Sequence, residues 1–303
     1  MALTFLKSDF PAGYSLSNEP AFGSGAYVLI TDQGYTWRST NYGKNWLDTG
    51  SSLPSGNWLI TYSQNFVAVE NAVTGSCYRL VAGSWVLGQS VNISSSSVLY
   101  SVNGTTYFIG VDLDTGANVL YSSTNDGASW TILQFADGMS GDGLKSYATN
   151  GTNQHVLVGA DIAYFSLDGI NWQNESILIG YYSTVSWANG LFIAGTNDTQ
   201  LCTSTNGINW VNWGGPEFSQ YSASTLDTFC FGGTFGEASG VISGNGTAPF
   251  VSDIYPAYPN KPINIGSSPV NFIVYNLVSS EYSIWYTEPT SSISFGLNWF
   301  FAP

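Results

Sequence analysis

The chain of 303 residues is 44% hydrophobic and 16% aromatic but only 9% charged, which excludes disorder, for want of polarity, and coiled coil, for want of Glu, Lys, Ala and Leu. Six Lys and Arg against twenty Asp and Glu leave a net charge of −14, so the surface repels nucleic-acid phosphates and anionic lipid alike. No run approaches the roughly eighteen apolar residues of a membrane helix, so neither nucleic acid nor membrane insertion is expected.

In chain order, Met1 to Lys7 holds an apolar stretch too short for a secretory signal. Residues 1–12 are expected to be an arm that either closes the fold or attaches it to a larger body. Attachment is preferred, because the end of the chain supplies its own last strand at Phe295 to Phe301. From residue 13 to 303 two turn signals alternate. Ser24-Gly25 leads into Tyr27-Val-Leu-Ile and is followed by Ser39-Thr-Asn-Tyr-Gly43-Lys-Asn-Trp46. Gln64-Asn65 leads into Phe66-Val-Ala-Val, followed by a weak Gly83-Ser-Trp85. Asn103-Gly104 and Ser123-Thr-Asn-Asp-Gly127-Ala-Ser-Trp130 make the third pair, and Asn150-Gly151 and Ser166-Leu-Asp-Gly169-Ile-Asn-Trp172 the fourth. Asn189-Gly190 and Ser204-Thr-Asn-Gly207-Ile-Asn-Trp210 make the fifth. Degenerate pairs end at Phe250, after Asp227-Thr228, and at Gly296-Leu-Asn-Trp299, after a turn at Pro269. The aromatics at 46, 85, 130, 172, 210, 250 and 299 thus recur about forty residues apart.

An Asn-Gly pair before β-branched and aromatic residues is a hairpin signal, since both central residues of a type I′ turn need positive φ. Each unit therefore reads as strand A, a turn, strand B, a connection, strand C, an Asx-Gly turn and a strand D carrying the aromatic. Seven such units predict an all-β chain, a seven-bladed β-propeller of four-stranded antiparallel blades spanning 13–303. The string Ser/Thr-x-Asp/Asn-(x)-Gly-x-x-Trp resembles the Asp-box, or BNR repeat, of sialidase-like propellers, most closely at Trp46, Trp130, Trp172 and Trp210. The resemblance implies that the Asx side chain caps its own turn, that Gly supplies positive φ, and that the aromatic fills the space between blades.

Catalysis finds little support. By that resemblance a sialidase needs three arginines, and the chain has only Arg38 and Arg79, while Lys lacks the bidentate fork. A paired-carboxylate hydrolase would draw on Glu70, Glu175, Glu217, Glu237, Glu281 and Glu288, none of which sits in a recognisable catalytic string. His155 is the only histidine, in a predicted B strand, and a packed role is expected for it. Asp112-Leu-Asp114-Thr-Gly116-Ala-Asn118 is a weak Ca²⁺ candidate that lacks the later Glu, and a turn explains it better. No cofactor or metal is called for. Cys77, Cys202 and Cys230 form no CxxC and are expected to be free, mostly buried thiols.

Trp58 and Trp213, with Tyr35, Tyr181 and Tyr182, fall near predicted inter-blade connections rich in Gly, Asn and Pro, and are the candidate glycan-stacking residues. Lys-poor propellers rich in Ser, Thr, Asn and Gly are similar to virion proteins of tailed bacteriophages, a resemblance of composition and fold. It implies a non-enzymatic virion protein, an adhesin, tail fibre or decoration, made in the host cytoplasm. Its partners would be other virion proteins, through the N-terminal segment, and host surface glycan. The alternatives are a scaffold without ligand and a carboxylate-based glycan hydrolase. A photosystem-associated assembly propeller is a weaker expectation, because that family's role leans on an arginine patch.

Overall fold

The computed structural model describes residues 5–287 apart from 12, 18, 72–74, 117, 134–143, 160–161, 175–181, 197–200, 213–220, 225–228, 236–237, 245–250, 255–262, 268–271 and 277–283, and side chains only as far as 212. Every element among these residues is a strand. β1 (Phe5–Lys7) comes first, then one sheet of β2 (Ala21–Gly23), β3 (Ala26–Ile30), β4 (Tyr35–Ser39) and β5 (Leu47–Ser52). The second sheet holds β6 (Trp58–Tyr62), β7 (Phe66–Glu70), β8 (Cys77–Val81) and β9 (Ser84–Leu87). The third holds β10 (Ile93–Val102), β11 (Thr105–Asp112), β12 (Asn118–Ser123) and β13 (Thr131–Leu133). The fourth holds β14 (Leu144–Thr149), β15 (His155–Gly159), β16 (Ile162–Ser166) and β17 (Gln173–Asn174). The fifth holds β18 (Tyr182–Ala188), β19 (Leu191–Thr196), β20 (Leu201–Ser204) and β21 (Val211–Asn212). Beyond them β22 (Tyr221–Ser224), β23 (Phe229–Phe235), β24 (Ala238–Gly244) and β25 (Val251–Ile254) pair in sequence order. β26 (Ile263–Ser267), β27 (Phe272–Asn276) and β28 (Ile284–Thr287) do the same, and β1 adds to β28. In that last pairing Phe5 lies opposite Thr287 and Lys7 opposite Trp285, so these N-terminal residues pair within the chain instead of extending from it. The expected strand at 295–301 lies outside the described residues.

The strand order follows from the apolar pattern. The second strand of a sheet has neighbours on both edges and another sheet on each face, so it reads as an unbroken apolar run. Accordingly every residue of Ala26–Ile30 and of His155–Gly159 is buried. The fourth strand faces water, and β5 is exposed along most of its length. The Ser24-Gly25, Asn103-Gly104 and Asn189-Gly190 pairs all have positive φ at both positions, as a tight hairpin requires. Asn150-Gly151 differs from that expectation. Its Asn150 Oδ1 accepts the N–H groups of Thr152, Asn153 and Gln154, each at 3.0 Å, so a longer side-chain-capped loop replaces the two-residue turn. Gly83 departs in the opposite direction. Ala82 and Gly83 have φ of 49° and 85°, making a tight turn where the first, third, fourth and fifth sheets carry the longer motif loop.

The cores lie between sheets. Trp130 packs with Val67 and Cys77 of the second sheet and Phe108 and Tyr121 of the third. Trp172 packs with Val98 and Tyr107 of the third and Leu157 and Tyr164 of the fourth. Trp210 packs on Val156 and Phe165 of the fourth and on Phe192 and Cys202 of the fifth. Trp46 meets Phe10 and Tyr27, and Trp85 reaches back to the first sheet, where its Nε1 donates to Thr36 Oγ1 at 2.7 Å. Of these aromatics only Trp85 lies within its fourth strand; Trp46, Trp130, Trp172 and Trp210 stand one residue before theirs, at the end of the loop. Phe250, Gly296 and Trp299 lie outside the described residues.

Candidate functional site

The four motif loops are occupied with themselves. In the first, Asn41 Oδ1 accepts from Ser39 Oγ (3.0 Å) and Asn45 N (2.9 Å), while Gly43 N donates to Ser39 Oγ (2.9 Å). The pattern repeats at Ser123, Asn125 and Gly127, at Ser166, Asp168 and Gly169, and at Ser204, Asn206 and Gly207. Gly43, Gly127, Gly169 and Gly207 all have φ between 73° and 87°, a region closed to most side chains. For Asp168, desolvation is the largest single influence and would raise its carboxyl. Hydrogen bonds from Asn171, Ile170 and Ser166 outweigh it and hold the group at about 2. These polar clusters stabilise the turns.

The described glycan-stacking candidates, Trp58, Tyr182 and Tyr35, are not brought together. Trp58, expected in a connection, opens β6 and is fully buried. Its Nε1 donates to Pro54 O at 3.0 Å, and its ring meets Tyr78 edge-on at 5.5 Å. Tyr182 is also buried, in β18, with its hydroxyl 3.2 Å from Cys202 Sγ. The reason is the same for both: each aromatic begins the first strand of a sheet, where neighbouring sheets converge. Of the described candidates only Tyr35 is open, 42% exposed and edge-on to Tyr14. Tyr181 and Trp213 lie outside the described residues.

In the Asp112 to Asn118 segment, Leu113, Asp114 and Thr115 form a turn between β11 and β12. Asp112 Oδ1 accepts from Asp114 N, Thr115 N and Thr115 Oγ1, and the Thr115 bonds lower its pKa. Asp114 Oδ2 accepts from Asn92 Nδ2 at 2.7 Å, so two candidate metal ligands are engaged in protein hydrogen bonds; the Asn118 side chain lies outside the described ones. No cluster of three His, Cys, Asp or Glu suited to a metal occurs among the described residues. His155 is buried in β15, its Nδ1 2.7 Å from Tyr147 Oη, and burial lowers its pKa against the opposing pull of Asp168. Cys77 and Cys202 are free, buried thiols.

An open feature lies elsewhere. Between the first two sheets is a groove of about 590 Å³. Ser24 enters it from the β2–β3 turn, Arg38 from β4, and Leu47 and Asp48 from β5, while Tyr62 and Gln64 come from the end of β6 and the turn after it. Tyr62 can lean over β2 because residue 23 is glycine: a Cβ there would fall 1.9 Å from Tyr62 Cγ. No hydrogen bond or ion pair joins the Arg38 guanidinium to a described residue. Asp48 uses Oδ1 to accept Gly50 N at 2.8 Å. In the sequence Arg38 counts only as one of two arginines, too few for a triad, and Gln64 only as half of a turn signal, while Tyr62 is not singled out. Their one sequence signal is that Ser24 and Gln64 sit beside corresponding turns in successive units.

No family model and no curated protein matches the chain. Solved structures do. The structure of YCF48 bound to D1 peptide matches with a TM-score of 0.66 at 12% identity, covering 96% of this chain and 97% of that one. The WD40 β-propeller domain of Doa1 matches with a TM-score of 0.67 at 12% identity, covering 96% and 99%. The chain is a β-propeller. The propeller domain of Cps50 (Swd1) from Myceliophteria thermophila agrees, with a TM-score of 0.67 at 10% identity over 95% and 100% of the two chains. At such identities the likeness concerns the propeller fold, whose blades are the four-stranded sheets above.

Proposed function

We propose that the chain is a non-catalytic recognition propeller of a bacteriophage virion, an adhesin, tail-fibre or decoration module that holds glycan on a host surface. The observation that carries the recognition half is the open groove between the first two blades. Its walls combine hydroxyls and amides with Arg38, two leucines and two aromatic residues, Tyr62 and Phe66, and Asp48 is the one carboxylate among its lining residues. Glycoside hydrolysis needs two carboxylates across the scissile bond, whereas binding needs only hydrogen-bonding groups and an apolar face. The virion assignment rests on the composition of the chain alone.

The same reading includes seven Asp-box-type blades in a closed ring. Supporting it, the first strands of successive blades lie side by side from β2 to β26, and β26 returns to β2. The segment after β1 also behaves like the segment after β9. Asp9 Oδ1 accepts Trp46 N at 3.0 Å as Gln89 Oε1 accepts Trp130 N at 2.8 Å. Asp9 N donates to Lys44 O at 3.1 Å, and Gln89 N to Gly127 O at 3.2 Å. β1 thus takes the place of a fourth strand belonging to the blade before the first.

The purified protein is incubated with host lipopolysaccharide and capsule, scoring retention and release of reducing ends. Retention without cleavage is expected. Cleavage would make the chain a hydrolase, and neither retention nor cleavage would leave a scaffold. Mass spectrometry of purified particles tests the virion half, which fails if the chain is absent from them.

A further inference from the structure

We infer that the groove between the first two blades takes a saccharide bearing a single carboxylate, with Arg38 as its anchor. This rests on the glycan reading above and narrows it to one place and one ligand class. The chain carries twenty acidic side chains, yet the Arg38 guanidinium has no ion pair or hydrogen bond among the described residues. In so acidic a protein an exposed arginine has intramolecular carboxylates in abundance to choose from. This one lies on β4, opposite Leu47 in the β4–β5 register, and lines the groove. A carboxylate matches that fork through two parallel hydrogen bonds.

The rest of the groove divides into spent and available groups. Asn41 and Asn65 are committed to loop and inter-blade hydrogen bonds. Ser24, Thr40 and Gln64 have no side-chain hydrogen bond to a described residue, and they line the same space as Arg38. Hydroxyl and amide groups of this kind exchange donors and acceptors with sugar hydroxyls. Leu47, 74% exposed, and the half-buried ring of Tyr62 offer apolar surface to the C–H face of a pyranose. The volume, about 590 Å³, falls within the range of about 300–1,000 Å³ for small-ligand pockets. Asp48 in the same groove offsets the charge of Arg38, and the overall charge of −14 opposes any polyanion. One acidic sugar among neutral ones is the chemistry that remains.

Arg38 is exposed and has no side-chain partner among the described residues, so Arg38→Gln is expected to fold with an unchanged melting midpoint. Uronate-bearing capsule oligosaccharides, and the same compounds with each carboxyl reduced to a primary alcohol, are titrated into wild type, Arg38→Gln and Arg38→Lys by calorimetry. Wild type should prefer the acidic form at least tenfold, Arg38→Gln should bind both forms equally, and Arg38→Lys should fall between. Equal binding of both forms by wild type overturns the carboxylate contact while leaving saccharide recognition intact. An acidic preference that survives in Arg38→Gln overturns the groove as the site. Binding of neither form by wild type overturns the saccharide reading with it.

Discussion

At the residue scale the repeated indole is the main cohesive element. Trp130 is 9% exposed, wedged between the second and third blades, and its truncation leaves a cavity that two rigid sheets cannot close. Trp130→Ala should therefore cost ~3–5 kcal/mol, read as a lowered urea midpoint; an unchanged midpoint would mean that the indole does not hold the blades together. His155 sets a second expectation. Burial lowers its pKa in the folded protein from the ordinary 6.5, so the unfolded chain binds the proton more readily. The stability that the neutral ring contributes is complete above about pH 6.5 and is lost as pH falls through the folded value. The melting midpoint should drop between pH 7.5 and 5.5 by more in wild type than in His155→Gln, and equal drops would remove His155 as the cause. The motif tryptophans were legible in the sequence because a fixed spacing from a positive-φ glycine specifies where the ring goes. Trp58 and Tyr182 were not. An aromatic beside Gly, Asn or Pro reads the same whether it caps a loop or opens a buried strand, and only the convergence of sheets distinguishes the two.

At the element scale, blades are joined by backbone approach as well as by rings. Gly88 lies so near the next motif loop that a Cβ would stand 2.1 Å from Gly127 O, which explains the glycine after β9. The N-terminal counterpart is Ser8, which fits by donating its hydroxyl to Gly43 O at 2.6 Å. Removing residues 1–9 would strip the edge of β28 and leave Trp46 N without Asp9. Loss of the strand should lower the melting midpoint by at least about 5 °C and promote association through the bared edge. A truncated protein as stable as the full chain would return these residues to the role of an attachment arm. The turns show how far local rules extend. Ser24-Gly25 and Asn189-Gly190 formed the tight hairpins expected of them, whereas Asn150 built a wider loop by capping three successive N–H groups. Side-chain capping competes with the type I′ turn at such a position, and the dipeptide alone does not show which prevails.

For the whole molecule, low charge and strong acidity act together. With a sequence pI near 4.1, solubility should pass through a minimum close to that pH, since repulsion between copies vanishes there; nephelometry across pH 3 to 8 would show it, and a minimum nearer neutrality would contradict it. The −14 charge also bears on the role proposed for Arg38, which is one of only six Lys and Arg side chains in the chain. The sequence by itself determined the all-β class, the four-strand unit and the inter-blade aromatics. Those depend on spacing along the chain, on glycine conformations and on unbroken apolar runs, all of which are local. Only the tertiary structure decided that Trp58 and Tyr182 are buried, that β1 lies on β28, and that Arg38, Tyr62 and Gln64 face one groove. These follow from how successive sheets pack face to face, which brings together residues from different units that no single repeat connects.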